Sequence, residues 1–86
     1  MKVKCNKSFI KDCVYHIDRY HLRGTTFCIG TKVYLLTKVN NMYYLSTGED
    51  TLASGTKKDV ADKLATLDIY NKEVEGYDAW FIQSLS

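Results

Sequence analysis

The 86-residue sequence contains no proline. Proline removes a backbone donor and breaks helices and central strands, so its absence fits regular elements joined by short turns. Cysteine is scarce as well: Cys5, Cys13 and Cys28 are odd in number and irregularly spaced. A disulfide framework calls for an even set, so free and mostly buried thiols are expected. No apolar run approaches the roughly 18 residues that span a bilayer, which argues against a membrane-crossing helix. The basic opening, residues 1–7, is followed by no apolar stretch of signal-peptide type. The expectation is a cytoplasmic protein that does not engage the membrane. Also missing are a Gly-x-Ser-x-Gly elbow, a phosphate-binding loop and a pair of catalytic carboxylates. The chain therefore reads as a binding protein without a cofactor, not as an enzyme.

What is present is an apolar and aromatic complement large enough to fold. Hydrophobic residues make up 45% of the chain, with seven Tyr, three Phe and one Trp. Eighty-six residues make one domain, residues 1–86. A chain of this size buries only about 60–65% of its unfolded surface, so its core is thin. Charge is unevenly distributed despite a net of only +2. Residues 1–40 hold eight Lys/Arg and two Asp, whereas residues 41–86 hold four Lys and eight Asp/Glu. Such a split predicts a basic and an acidic region on the folded surface, suited to an anionic and a cationic partner respectively.

The periodicity predicts a short strand over residues 2–5 and a helix over 9–22, capped by Ser8 and stopped by Gly24. On that helix Phe9, Ile10, Cys13, Val14, Ile17, Tyr20 and His21 fall within an arc of about 140°. From Thr25 the period becomes two. Strands are predicted over 25–29, 32–38 and 42–47, with Asn40-Asn41 forming a tight hairpin because asparagine tolerates positive φ. Alternation puts Tyr34, Leu36, Tyr43 and Leu45 on one face and Val33, Leu35, Val39, Met42 and Tyr44 on the other. Residues 48–55 read as a loop with room for an edge strand over 51–53. Thr56 then caps a second helix, with Asp59 completing a capping box and Val60, Ala61, Leu64 and Leu67 facing inward. In the tail, Tyr77, Trp80, Phe81 and Leu85 favour a third helix, with a strand over 79–85 as the alternative. The fold class is α+β: a small antiparallel sheet of three or four strands packed by two or three helices.

Cys13, His16, His21 and Cys28 have a spacing that invites a zinc reading. A zinc site needs four converging ligands, and a helix places these on different sides, so no metal is expected. A Cys13 nucleophile paired with His16 or His21 would need a partly exposed, electropositive thiol, and an apolar helix stripe is the wrong setting. More informative is the run Ser54-Gly55-Thr56-Lys57-Lys58-Asp59-Val60-Ala61-Asp62-Lys63. It resembles the start of the second helix in double-stranded-RNA-binding domains, where a Lys-Lys pair at a helix N-terminus meets phosphates. The resemblance implies Lys57 and Lys58 as phosphate contacts. The strand–loop–helix run is similar also to the small DNA-binding domains of phage integrases. Tyr34, Tyr43 and Tyr44 with Lys32 and Lys38 offer a second basic and aromatic set on the sheet, able in principle to stack on bases.

In style, with its short length, its Tyr, Asn and Lys content and its lack of catalytic motifs, the chain resembles small early proteins of tailed bacteriophages that subvert the host. That resemblance implies an inhibitor of a host defence protein, nuclease or toxin, acting by itself or together with RNA. The alternative is a direct nucleic-acid-binding module using Lys57, Lys58, Lys32, Lys38 and Tyr43. Sequence leaves the oligomeric state open.

Overall fold

The computed structural model describes residues 3–78. The elements run β1 (Val3–Lys4), α1 (Lys7–Arg19), β2 (Gly24–Ile29), β3 (Lys32–Val39), β4 (Met42–Thr47), β5 (Asp50–Gly55), α2 (Lys57–Leu64), β6 (Glu73–Val74) and β7 (Gly76–Asp78). The class is α+β, as the sequence predicts. Strands β2 to β5 form an up-and-down antiparallel meander, and β7 adds a fifth strand in the order β5-β4-β3-β2-β7. A separate two-stranded sheet pairs β1 with β6. The ladder continues past it, from Cys5 N–H to Lys72 O at 2.7 Å and from Asn71 N–H to Cys5 O at 2.7 Å. This second sheet joins the start of the chain to the segment after α2.

Helix α1 begins two residues earlier than its pattern predicts. The Asn6 side chain, on extended backbone, accepts the Phe9 N–H at 2.9 Å, whereas Ser8 already lies inside the helix. Asn6 satisfies an otherwise orphaned donor at the first turn, which is the work of an N-cap. The far end also differs. The helix stops at Arg19, His21 takes a positive φ of 54°, and Leu22 N–H returns to Ile17 O at 3.0 Å. This left-handed closure swings Leu22 into the core and leaves Tyr20 and His21 exposed, the reverse of the helical projection. Gly24 is not the helix stop. It opens β2, where a Cβ would collide with the Leu36 carbonyl oxygen of the neighbouring strand.

The strand faces follow the alternation. Phe27, Tyr34, Leu36, Tyr43 and Leu45 are buried, and Val33, Val39 and Met42 are exposed on the opposite face. Both Asn40 (φ 51°) and Asn41 (φ 69°) are left-handed, the geometry of a two-residue hairpin whose twist matches the sheet. Residues 48–55 are more ordered than the sequence predicts. Gly48-Glu49 makes the turn, and β5 pairs along β4 with a register shift beside Leu45 that leaves Leu52 as the extra residue. The tail prediction is corrected over Gly76–Asp78, which is a strand on the edge of β2. The remainder of that prediction, residues 79–86, lies outside the described residues.

Both helices bury their apolar stripes on one face of the sheet. The Phe9 ring meets Phe27 edge-on at 5.1 Å, and Phe27 stacks on Tyr34 at 5.4 Å, which ties α1 to β2 and β3. Val60, Ala61 and Leu64 of α2 join Leu36 and Leu45 in the same core cluster. An even number of strands separates the helices, so α2 starts at the end of the sheet where α1 finishes. The helices therefore run antiparallel, with Lys7 of α1 bonded to Asp62 of α2 at 3.3 Å. At the other end, Lys57 faces the last turns of α1.

Candidate functional site

The antiparallel helices leave a cleft of about 720 Å³ lined by Lys11, Val14, Tyr15, Asp18, Arg19 and Lys57. Lys11, Tyr15 and Arg19 occupy one stripe of α1 because they are spaced i, i+4 and i+8, about 6 Å apart along the axis. Lys57 enters from the first turn of α2. That turn is fixed by a full capping box: Asp59 N–H donates to Thr56 Oγ1 at 3.2 Å, and Thr56 N–H donates to Asp59 Oδ2 at 3.1 Å. Lys57 is thereby presented from a pre-ordered helix start.

The floor of the cleft at its sheet end is organised around Asp18. Its Oδ1 accepts from Lys38 Nζ at 2.8 Å and from the Tyr43 hydroxyl at 2.7 Å. Burial works to raise the Asp18 carboxyl. The hydrogen bonds from Lys38 and Tyr43, with the charges of Lys38 and Lys57, outweigh it and hold the group below its ordinary value. The hydrogen bond to Asp18 raises Lys38, and burial followed by the Asp18 contact raises Tyr43. Asp18 is thus engaged by its own neighbours. Lys11, Arg19 and Lys57, by contrast, enter no ion pair among the described residues. The result is a concave surface with net positive charge, with its one carboxylate already compensated.

An aromatic ring sits between the cations. Tyr15 is 56% exposed, and its edge contact with His16, at 5.8 Å and 64°, steadies the ring without covering it. Tyr20 lies just beyond the cleft, stacked on His16 at 6.0 Å and capped by the Arg19 guanidinium at 5.8 Å.

The residues singled out from sequence are separated by the fold. Lys57 is in the cleft, and Lys38 and Tyr43 hold Asp18, which lines it. Tyr43 faces the core, so its ring is not presented for stacking on a base. Lys58 points away and lies 3.7 Å from Asp62 on its own helix. Lys32 sits at the other end of β3, in a second cleft beside Asp68 and Lys72. Lys11, Tyr15 and Arg19 escaped the sequence reading because only the apolar stripe of α1 was informative there. The signal was nevertheless present as a cation–aromatic–cation spacing of four.

The thiol and histidine set does not assemble. Cys13 is fully buried, Cys28 is half-buried on β2, and His21 is exposed beyond the end of α1. Among the described residues no group of three or more His, Cys, Asp or Glu comes together. A smaller cleft of about 350 Å³ beside α1 is lined by Val3, Phe9, Asp12, Cys13, His16, Val74 and Glu75. Burial pushes the third thiol, Cys5, up to about 11, far from the range of a nucleophile at neutral pH. No helix among the described residues is long and apolar enough to cross a membrane.

In comparisons with known proteins, no family model matches the chain, and neither a curated protein nor a solved structure is significantly similar to it.

Proposed function

We propose that this is a non-enzymatic binding protein that engages an anionic macromolecular partner through the cleft between α1 and α2. The observation that carries the reading is the convergence of Lys11, Arg19 and Lys57 on one concave surface where Asp18 is already held by Lys38 and Tyr43. Cations outside ion pairs in a cleft attract phosphate or carboxylate groups, and the ordered start of α2, which carries Lys57, lies at the same place. The resemblance in style to small early phage proteins supplies the biological setting: a cytoplasmic inhibitor that occupies the surface on which a host nuclease, toxin or defence complex acts.

The test is recovery from bacterial lysate with tagged wild type, R19E/K57E and K32E, each with and without nuclease treatment. Wild type and K32E are expected to retain the same material, and R19E/K57E is expected to lose it. Equal recovery by R19E/K57E, with its fold verified by circular dichroism, would remove the cleft from the function.

A further inference from the structure

The cleft does more than gather positive charge, because it places an uncovered aromatic ring between two cations on a single helical stripe. We propose that its ligand is a single-stranded nucleic acid, with Tyr15 stacking on an unpaired base and Lys11, Arg19 and Lys57 contacting the flanking phosphates. The inference rests on the reading of the cleft as the binding surface and names the class of its partner.

Three features favour this ligand. First, Tyr15 is more than half exposed while lining the cleft, so a planar group can enter against its ring. In a duplex the bases are covered by their neighbours, and only an unpaired strand offers a base face to a side chain of this kind. Second, the cations lie on both sides of the ring. Lys11 and Arg19 are one helical turn before and after it, and Lys57 faces it from α2. A backbone tracking the cleft would place successive phosphates beside these cations while one base turns inward. Third, the cations converge on one groove between the two helices. A rigid duplex presents two rows of phosphates and suits a broad basic face, whereas one flexible strand fits one groove.

The chemistry predicts a measurable signature. Three phosphate contacts to a single strand correspond to a log–log salt slope of about −2. Loss of one stacking partner corresponds to roughly a tenfold or greater loss of affinity.

The experiment is fluorescence anisotropy with labelled single-stranded DNA and RNA of about 12 nucleotides, within the range of one small binding site. The same sequences as duplexes and a labelled polyglutamate peptide serve as the other probes. Wild type, Y15A, Y15F and R19E/K57E are compared. Tyr15 is exposed, so Y15A should fold, and far-UV circular dichroism checks it. The expected result is preference for single strands over duplex and polyglutamate. Y15A should lose roughly tenfold, Y15F should keep the affinity, and R19E/K57E should abolish it. Equal binding to duplex and single strand, or a Y15A variant that binds single strands as well as wild type, overturns the inference. Tight polyglutamate binding that is lost in R19E/K57E but unchanged in Y15A also overturns it, and assigns the cleft to an acidic protein. A wild type that binds a probe undiminished by R19E/K57E removes the cleft itself.

Discussion

At Tyr43 an aromatic ring does two jobs. The ring is buried in the core, and its hydroxyl donates to Asp18 at 2.7 Å, so it couples β4 to the last turns of α1. Lys38 reinforces the same acceptor from β3. A hydrogen bond to a charged acceptor stabilises by roughly 1.5–3 kcal/mol when sheltered from water. The Asp18 side chain is 42% exposed, so solvent screening reduces the effect to about 1 kcal/mol. Tyr43→Phe should therefore lower stability by about 1 kcal/mol at pH 7. Because the Asp18 carboxyl is held below its ordinary value, its contribution is present above the unfolded pKa of about 3.9 and is lost as pH falls through the lowered folded value. Urea titrations of both proteins should thus show a gap at pH 7 that narrows in strong acid. A gap independent of pH would mean that Asp18 is not the acceptor that matters.

At the level of elements, the junction of β5 and α2 carries both stability and the site. Gly55 has a φ of 130°, and a Cβ there would lie 2.7 Å from Asp59 Oδ2. The same carboxylate oxygen accepts the Thr56 N–H at 3.1 Å. A side chain at position 55 would strain the backbone and push Asp59 out of its capping role together. Thr56→Ala removes one cap bond and should cost about 1 kcal/mol. Gly55→Ala should cost more, on the order of 2 kcal/mol, because it combines a forbidden backbone region with loss of the cap. Urea midpoints would rank the two variants. A Gly55→Ala protein as stable as wild type would show that the junction relaxes freely.

Over the whole molecule, one core cluster receives side chains from both helices and from β2 to β5. In a domain with so little interior there is no reserve of burial to absorb a void. Leu45 is fully buried on β4, where the sheet meets α2. Leu45→Ala should cost about 3 kcal/mol, a large share of the roughly 5–10 kcal/mol that holds such domains together. Far-UV circular dichroism and tyrosine fluorescence should then report one shared transition at a much lower midpoint. Separate transitions would show that the helices and the sheet do not unfold as one unit. Lys38, Arg19 and Lys57 lie with Asp18 at the end carrying the Asn40-Asn41 hairpin, and Glu49, Asp50 and Asp68 lie with Lys32 and Lys72 at the other.

Local chemistry was legible in the sequence wherever neighbouring residues settle the conformation among themselves. Paired asparagines need positive φ, alternation assigns strand faces, and Thr56 with Asp59 closes a capping box across three residues. The α+β class follows from those periods, as do the buried stripes of both helices apart from Tyr20 and His21, which are exposed, and Leu67, which lies past the end of α2. The cap at Asn6 and the closure at His21 were not legible, because several nearby residues can serve and the core selects among them. For β5, whose residues have weak strand preference, the ladder of β4 supplies the order that its own composition does not. The candidate site belongs to the tertiary structure altogether. Lys11, Tyr15 and Arg19 become a site only when the four strands between the helices return Lys57 to the end of α1. Lys38 and Tyr43 turn from predicted ligand contacts into the support of Asp18 because β3 and β4 carry them beneath that helix. Charges far apart in the chain interact through space, and only the fold sets those distances.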